Sequence, residues 1–315
     1  MTNVKIGIVG AGVIAREHIK ALNCATNVEL VGIVSRTHKT AEALAKEYQT
    51  EAFTSVPEMV LKHDLDGLII AVDVKSTRQV LQECLSYSRN ILVEKPVALN
   101  YRAAVELQNF DDKDNLGHVY VAHNRRFYNS TKMLAEKLYY SEKPRTVFIT
   151  DQQDPIEAIS MFGEDPEVAN NYMYANSIHL VDYFKLLCRG NVVDVQVLAP
   201  FQGNQEHVLH AKVVFDSNDI GYYKCAWCSS GPWSIEVYCG EHYFECKPLE
   251  RLIQRSRNSR MDNILSQDEG QLKPGFVQQA IEFVAACRGE QTELVSLSAS
   301  IDVMHLISKI FNLED

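Results

Sequence analysis

The sequence predicts a doubly wound α/β domain followed by an α+β domain with a mostly antiparallel, open sheet and flanking helices. Over the first third of the chain, short apolar runs alternate with amphipathic stretches. That alternation is typical of βαβ units and of a parallel sheet covered on both faces. After residue 124, several strand-like runs follow one another with short turns, which predicts an antiparallel meander. We therefore expect two domains, 1–123 and 124–315.

The first predicted domain contains apolar runs and amphipathic stretches in strict alternation. The predicted strands are Lys5–Val9, Glu29–Val34, Gly67–Val72, Ile91–Val93 and His118–Ala122. The predicted helices are Gly12–Leu22, Thr37–Tyr48, Val56–Lys62, Ser76–Ser86 and Tyr101–Phe110. Asp111–Asn115 is expected to form an acidic turn before the last of these strands.

The second predicted domain begins with two helices that flank a strand. The helices are Phe127–Leu138 and Asn176–Cys188, with Asn176 as the N-cap, and the strand is Arg145–Asp151. The meander strands are Val192–Leu198, Val208–Phe215, Gly221–Trp227, Trp233–Tyr238 and His242–Glu245. Arg251–Gln271 shows no clear period and is predicted to be a long loop, and two helices, Pro274–Cys287 and Ser298–Phe311, close the chain.

Composition limits the class of partner. The 315 residues carry a formal net charge of −10, which argues against a general affinity for nucleic acid or for an anionic membrane. No apolar run reaches the ~18 residues that a membrane-spanning helix requires. The first residues lack the apolar core of a signal peptide, so the sequence predicts a cytoplasmic protein.

The strongest motif lies at the start of the chain. Gly10, Gly12 and Ala15 occupy the glycine and alanine positions of G-x-G-x-x-A, directly after one predicted strand and at the start of a helix. Gly10 allows the tight turn, and Gly12 lets the backbone approach a pyrophosphate. The backbone N–H groups of Val13 and Ile14 then face the phosphates at the helix N-terminus. The motif predicts a Rossmann domain that binds NAD or NADP.

The end of the second predicted strand favours NADP, with NAD as the alternative. An acidic residue at this position would bind the ribose 2′-hydroxyl of NAD, and none is present. Ser35, Arg36 and Lys39 could instead hold a 2′-phosphate, although an arginine at a strand end is also common without that role.

Glu94-Lys95-Pro96 follows the apolar strand Ile91–Val93. Strand ends of open α/β sheets face the ligand crevice, so Lys95 is well placed to contact both nicotinamide and substrate, with Glu94 beside the cofactor. Pro96 predicts a cis peptide bond that aims Lys95.

The glycine loop, Glu94-Lys95-Pro96 and Asn124-Arg125-Arg126-Phe127 together resemble the Gfo/Idh/MocA oxidoreductases, over nearly the whole chain. The resemblance implies oxidation or reduction of a hydroxyl or keto group on a sugar, an inositol or a nucleotide-linked sugar. It implies a substrate-contacting, catalytic role for Lys95. It also implies dimers or tetramers that assemble through the second domain's sheet.

A histidine usually starts the first long helix of that family's second domain, and His179 and Asp182 match its pattern. An aspartate often lies four residues before the histidine, where this chain has Ala175. Tyr174 and Asn176 would suit sugar hydroxyl groups. A histidine at a helix start can also be a cap or a packed residue.

The loop after the fourth strand, Val72–Arg78, departs from the Thr-Pro that the family often shows there. Cofactor contacts at Val72 are therefore expected from the backbone. Arg125 and Arg126 are consecutive and point in different directions. One is expected to hold a phosphate or carboxylate of the substrate, for which we favour Arg125, and the other to pair with an acid.

Metal binding is not expected. Cys225 and Cys228 form a CxxC, but residues three apart in a strand point to opposite faces, and no second CxxC follows.

The favoured reaction is hydride transfer between nicotinamide and a carbon that bears a hydroxyl or keto group. His179 suits the general base because its ordinary pKa lies near working pH, and Lys95 would stabilise the reacting oxygen. Lys95 could itself be the base if its pKa were lowered. Two rivals remain: a cofactor-binding regulator without turnover, and a reductase of a linear tetrapyrrole or an imine. We expect a homodimer or homotetramer, because the sheet would otherwise expose Trp227, Trp233 and other aromatic residues.

Overall fold

The computed structural model describes residues 3–88, 90–114, 118–203, 208–259, 262–267, 270 and 272–313. The chain forms two compact units. Unit 1 comprises Met1–Asn124 and Gly270–Ile301, and unit 2 comprises Arg125–Glu269 and Asp302–Asp315. Gly270–Ile301 thus belongs to unit 1 and not to the unit of the residues that precede it.

The N-terminal part alternates strands and helices. Its elements are β1 (Val4–Val9), α1 (Val13–Leu22), β2 (Val28–Val34), α2 (His38–Tyr48), β3 (Glu51–Phe53), α3 (Val56–Lys62), β4 (Gly67–Ile70), α4 (Val74–Leu85), β5 (Asn90–Val93), α5 (Tyr101–Asp114) and β6 (His118–Val121).

The remaining elements begin with a short 3₁₀ helix at Asn124–Phe127. They are α6 (Asn129–Tyr139), β7 (Arg145–Gln153), α7 (Pro155–Phe162), α8 (Pro166–Asn170), α9 (Tyr172–Ala175), α10 (Ile178–Leu187), β8 (Val192–Ala199), β9 (Leu209–Phe215), β10 (Ile220–Trp227), β11 (Ser234–Cys239), β12 (His242–Cys246), β13 (Arg251–Ser256), β14 (Asn263–Gln267), α11 (Phe276–Cys287), β15 (Val295–Ser296) and α12 (Leu297–Phe311).

Unit 1 is the predicted doubly wound sheet. Its strand order is β15-β6-β5-β4-β1-β2-β3, and every pair is parallel except β15 with β6. Ile91, Leu92 and Val93 in β5 are at most 1% exposed, because helices cover both faces of the sheet. The prediction omitted β3, whose three residues are too few to show a period.

A segment from the end of the sequence completes this unit. Helix α11 packs on α1, where the rings of His18 and Phe276 lie 5.0 Å apart. Strand β15 then extends the sheet beyond β6 through the pairing of Val295 with Val121.

Helix α5 is longer than predicted. The expected acidic turn was wrong over 111–114, because α5 continues to Asp114; Asn115 lies outside the described residues. Asp111–Asp114 contains no glycine or proline to stop the helix, and aspartate lowers helix propensity only modestly.

Unit 2 contains an eight-stranded, mostly antiparallel sheet in the order β14-β13-β12-β11-β7-β10-β9-β8. It is not a simple meander, because β7 lies between β11 and β10 and runs parallel to β10. The predicted loop at Arg251–Gln271 was wrong, since β13 and β14 form an antiparallel pair there. A register shift between Leu252 and Ile253 interrupts the alternation of apolar and polar residues. The sequence therefore does not show the period of a strand there.

The segment between β7 and α10 was also missed. It forms three short helices, α7, α8 and α9, of which the first two begin at Pro155 and Pro166. The prediction of Asn176 as an N-cap was wrong, because α10 begins at Ile178 and Asn176 ends α9 instead.

The aromatic residues exposed on the sheet of unit 2 differ from those predicted. Trp227 is 7% exposed and packs against Phe201. Among the described aromatic residues of the sheet, Phe148 and Tyr238 are exposed, at 36% and 49%, and the predicted Trp233 is half-buried. The ring of Phe148 stacks on Tyr222 at 5.0 Å. Among the described helices, none is long and apolar enough to cross a bilayer.

Candidate active site

The glycine turn between β1 and α1 has the geometry of a phosphate cradle. Gly10 adopts a φ of +120°, and a Cβ there would lie 2.1 Å from the carbonyl oxygen of Ala71, so only glycine fits. A Cβ on Gly12 would meet nothing within 4 Å, which leaves open space beside the N-terminus of α1. Among the residues that the structure describes, no side chain forms a capping hydrogen bond at this helix start. Its first N–H groups, including those of Val13 and Ile14, are therefore available to an anion, and the pyrophosphate of a dinucleotide fits.

The other predicted cofactor residues of unit 1 follow neighbouring strands. Strands β5, β4 and β1 are adjacent and parallel, so the turns after them share the carboxyl edge of the sheet. These turns carry Lys95, Val72 and Gly10 respectively. The carboxyl edge is where open α/β sheets bind their ligands.

Ser35 and Arg36 follow β2 at the same edge. The Ser35 hydroxyl accepts a hydrogen bond from the backbone N–H of Thr37 at 3.3 Å and lies 3.0 Å from the Thr40 hydroxyl. Arg36 is exposed. No acidic residue occupies this strand end, and the preference for NADP stays a prediction.

A buried histidine, which the sequence prediction missed, supports the Glu94–Lys95 turn. His18, in α1, is 2% exposed, and its Nε2 lies 2.8 Å from Glu94 Oε1. The other carboxylate oxygen of Glu94 accepts the backbone N–H of Lys95 at 3.2 Å. Glu94 thereby connects the turn after β5 to helix α1.

The charge state of Glu94 follows from these contacts. Burial alone would raise its pKa, but the hydrogen bond and charge of His18, with smaller contributions from Lys95 and Lys273, hold it below its ordinary value. A signal existed in the sequence, because His18 shares the helix face of the apolar residues Ala15, Ile19 and Leu22. The Lys95–Pro96 peptide bond is cis, as predicted.

In unit 2, the predicted site residues surround the start of α10. His179 is 7% exposed, and Tyr174, in α9, is 3% exposed. The Asn176 side chain donates to Gln153 Oε1 at 2.8 Å. Gln153 ends β7, so the strand end and the start of the His179 helix are joined.

A buried carboxylate lies beneath this junction. Asp151 is fully buried and accepts hydrogen bonds from the Tyr223 hydroxyl at 2.6 Å and from Gln153 Nε2 at 2.7 Å. Burial raises the pKa of Asp151 above its ordinary value, although hydrogen bonds from Ser177, Tyr223 and Gln153 and the charge of Arg125 oppose that effect. The prediction missed Asp151 and Gln153, which continue the buried alternation of Val147 and Ile149 along β7.

The two adjacent arginines have different environments. Arg126 donates two hydrogen bonds to Asp182, at 2.6 and 2.7 Å, as predicted for one arginine of the pair. Arg125 instead lies over the ring of Trp233, with 4.1 Å between the guanidinium carbon and the ring centroid. Since Asp182 binds Arg126 in this way, it is more than an ordinary helix-face carboxylate.

The N-terminal part of the chain matches a known family. Residues 4–123 match the profile of the GFO_IDH_MocA family, described as an oxidoreductase family with an NAD-binding Rossmann fold.

Two curated relatives match parts of the chain. Glucose-6-phosphate 3-dehydrogenase of Bacillus subtilis (strain 168) is 35% identical over 100 residues, which are 32% of this chain and 28% of that protein. Inositol 2-dehydrogenase of Corynebacterium glutamicum (strain R) is 23% identical over 215 residues, which are 65% of this chain and 60% of that protein. The chain thus spans less than two thirds of the length of either relative.

Solved structures match over nearly the whole chain. One, assigned as an NADPH-dependent oxidoreductase from Desulfitobacterium hafniense DCB-2, has a TM-score of 0.83 at 17% identity and covers 99% of this chain and 95% of its own. Levoglucosan dehydrogenase in complex with NADH and levoglucosan has a TM-score of 0.79 at 14% identity, with 99% and 97% covered. At these identities the similarity establishes the fold. Residues 4–123 thus match the model of the Gfo/Idh/MocA oxidoreductase family that the motifs predict, and the chain shares the fold of these solved structures.

Proposed function

We propose that the protein transfers a hydride between NADP and a hydroxyl or keto carbon of a sugar or sugar derivative. The carboxyl edge of the sheet in unit 1 carries this proposal. There the open turn at Gly12 and the tethered Lys95 follow strands of one parallel layer. Relatives named for glucose 6-phosphate and inositol support a sugar or polyol as the substrate class.

The cofactor is held by the residues of unit 1. The backbone around Gly10, Gly12, Val13 and Ile14 binds the pyrophosphate, because the helix N-terminus offers uncapped N–H groups. When bound, the nicotinamide supplies or accepts the hydride. Arg36 binds the 2′-phosphate, and NAD is the alternative cofactor if Arg36 has no such role.

Lys95 and His179 have different roles in the proposed reaction. The Lys95 ammonium group donates a hydrogen bond to the reacting oxygen and stabilises its developing negative charge. His179 accepts the hydroxyl proton during oxidation and returns it during reduction. Asn176 and Tyr174 bind neighbouring hydroxyl groups.

Assembly through the sheet of unit 2 belongs to the same proposal. Phe148, Tyr222 and Tyr238 form a continuous aromatic surface, with Phe148 and Tyr238 in edge-to-face contact at 5.9 Å. Exposure of such an apolar surface to water is unfavourable. A homodimer or homotetramer would cover it.

The test combines binding with turnover. Purified protein is mixed with NADP⁺ or NAD⁺ and a panel of sugars, sugar phosphates and polyols, and the near-ultraviolet absorbance of the reduced nicotinamide is followed. Turnover with at least one sugar, faster with NADP⁺ than with NAD⁺, is expected. Lys95→Met and His179→Ala should bind NADPH normally and lose turnover.

Two results would contradict the proposal. NADPH binding without turnover on any member of the panel would indicate a cofactor-binding regulator. Near-normal turnover in both variants would remove Lys95 and His179 from the reaction.

A further inference from the structure

Two polar side chains near the end of β7 point into the interior of unit 2. Asp151 is fully buried, and Gln153 is 2% exposed. Since alternate residues of a strand point to the same side, both lie on the buried face of β7. A buried polar group is unfavourable unless it is hydrogen-bonded. The hydrogen bonds of Asp151 and Gln153 therefore show which parts of unit 2 they hold together.

These hydrogen bonds have a fixed direction. Asp151 Oδ1 accepts from Gln153 Nε2 at 2.7 Å, so the carboxyl group takes the NH₂ end of the amide. The oxygen end of the same amide, Gln153 Oε1, then accepts from Asn176 Nδ2 at 2.8 Å. Asp151 thus sets the orientation of the Gln153 amide, and Gln153 sets that of the Asn176 side chain.

A second contact reaches the next residue of the chain. Gln153 Nε2 also donates to Ser177 Oγ at 3.3 Å, and the Ser177 hydroxyl hydrogen-bonds to Asp151. Ser177 is the residue from which α10 starts. The backbone oxygen of Asn176 accepts the N–H of His179 at 3.2 Å. Asn176 and Ser177 therefore form the turn that leads into His179, and both are held from β7.

The other end of this network lies in the core. Asp151 Oδ2 accepts from the Tyr223 hydroxyl at 2.6 Å. Tyr223, in β10, is 1% exposed, and its ring lies 5.9 Å from that of Phe311 in α12. A group that is locked by packing can fix the residues that hydrogen-bond to it. The network therefore joins a fixed point of the core to the start of the helix that carries His179.

We propose that Asp151 and Gln153 are positioning residues that hold the start of α10, and with it the His179 imidazole, in one orientation. Both act through the residues that precede His179. Displacement of a reacting group by about 1 Å can lower a rate by ~10²-fold, so such support matters for a base. The proposal rests on the proposed function for the role of His179, but the positioning it describes exists without substrate or turnover.

The experiment compares variants of the network with a control in the same unit. Gln153→Met keeps a side chain of similar length and removes both amide groups. Asp151→Leu removes the carboxyl group, whereas Asp151→Asn keeps an oxygen for the Gln153 amide. Ser130→Ala is the control, because it removes a buried hydrogen bond outside the network, from Ser130 Oγ to the backbone oxygen of Leu249.

The first measurement is the ¹⁵N spectrum of the histidine rings in protein without substrate. The His179 signals are assigned by their absence in His179→Gln. Gln153→Met and Asp151→Leu should shift both ring nitrogen signals of His179, because the turn before it is released. Asp151→Asn should stay close to wild type, and Ser130→Ala should leave the signals in place.

The second measurement is turnover of a sugar that wild type oxidises. Gln153→Met and Asp151→Leu should lower kcat by ~10–100-fold and leave the KM for the cofactor nearly unchanged, because the base is misplaced and the cofactor site is not. Asp151→Asn should recover most of the loss. Ser130→Ala should keep the wild-type kcat.

The proposal is overturned if the His179 signals of Gln153→Met match those of wild type, or if Ser130→Ala shifts them as much. Melting temperatures report whether each variant folds. If Asp151→Leu does not fold, Tyr223→Phe takes its place, because it removes the hydrogen bond that fixes Asp151. Shifted His179 signals in a protein that turns over no sugar would refute the proposed function and leave the positioning of His179 standing.

Discussion

Each unit places a buried carboxylate beneath a residue proposed for catalysis, but the two carboxylates have opposite surroundings. Glu94, in unit 1, faces the imidazole of His18 and supports Lys95. Asp151, in unit 2, faces the hydroxyl of Tyr223 and the amide of Gln153, and connects through the strand end to the helix of His179. Their pKa values move in opposite directions: that of Glu94 is lowered and that of Asp151 is raised.

The difference shows that burial alone does not decide the charge of a carboxylate. Burial is the largest influence on both groups, and it raises the pKa of each. The hydrogen bond and charge of His18, with the charges of Lys95 and Lys273, reverse the effect of burial at Glu94. At Asp151, the hydrogen bonds of Ser177, Tyr223 and Gln153 and the charge of Arg125 do not reverse it. The surroundings of Glu94 therefore favour its ionised form, and those of Asp151 favour its protonated form.

The largest expected effect comes from removing the groups that these carboxylates support. Lys95→Met and His179→Gln should each lower kcat by ~10²–10⁴-fold, the usual contribution of a positioned acid, base or electrostatic group. NADPH affinity, measured by fluorescence, should change little. A drop in NADPH affinity that matched the loss of kcat would mean that the two residues act through cofactor binding.

The next largest expected effect is a difference in the free energy of unfolding between variants of the two carboxylates. Glu94→Gln should lower the free energy of unfolding by about 1–3 kcal/mol, because the carboxylate that contacts His18 and accepts from the Lys95 backbone N–H is replaced by a neutral amide. Asp151→Asn should cost less than ~1 kcal/mol, because its hydrogen-bond partners Tyr223 and Gln153 are uncharged and Arg125 acts on it only through its charge. Urea unfolding of both variants at neutral pH makes the comparison. Equal losses would show that the partners of the two carboxylates do not differ in kind.

A smaller effect is expected at the exposed end of β2. Arg36→Asp should reduce the preference for NADP over NAD by roughly tenfold or more, because one charged contact with the 2′-phosphate is worth about 1.4 kcal/mol or more. The ratio of kcat/KM for the two cofactors measures this change. Lys46→Asp is the control on the same unit, at the last turn of α2. An unchanged ratio in Arg36→Asp would mean that Arg36 does not bind the 2′-phosphate.

The smallest effect is the pH dependence of stability. Because the folded pKa of Asp151 lies above its ordinary value of 3.8, its contribution is fully present below that pH and is lost as pH rises through the folded pKa. The folded pKa of Glu94 lies below its ordinary value of 4.5, so its contribution is present above that pH and is lost as pH falls through the folded pKa.

Relative to wild type, Asp151→Asn should therefore gain stability from acidic to neutral pH, and Glu94→Gln should lose stability over the same range. Urea midpoints at several pH values would measure both trends. Parallel trends would contradict the assigned charge states.

Local patterns were enough to predict the main elements of the fold and part of the candidate site. The turn at Gly10 and Gly12 and the motif at Lys95 are contiguous, so their geometry depends on a few neighbouring residues. The sheet in unit 1 follows from a simple alternation of strands and helices.

Features that depend on distant residues could not be predicted in the same way. The pairing of His18 with Glu94 joins residues 76 positions apart, and nothing near either of them specifies the other. The insertion of β7 between β10 and β11 is equally non-local. Asp151 and Gln153 lie in register with buried residues of β7, so their burial could have been inferred, although their partners could not.

The return of Gly270–Ile301 to unit 1 has a consequence for biosynthesis. At typical rates of ~5–20 residues per second, a ribosome takes roughly 7–30 s to make residues 125–269. Throughout that interval β6 lacks its neighbour β15, and α1 lacks the cover of α11. The nascent sheet therefore presents an unpaired edge strand, a feature that promotes association between chains. Chaperone protection of the growing polypeptide would matter most in this interval.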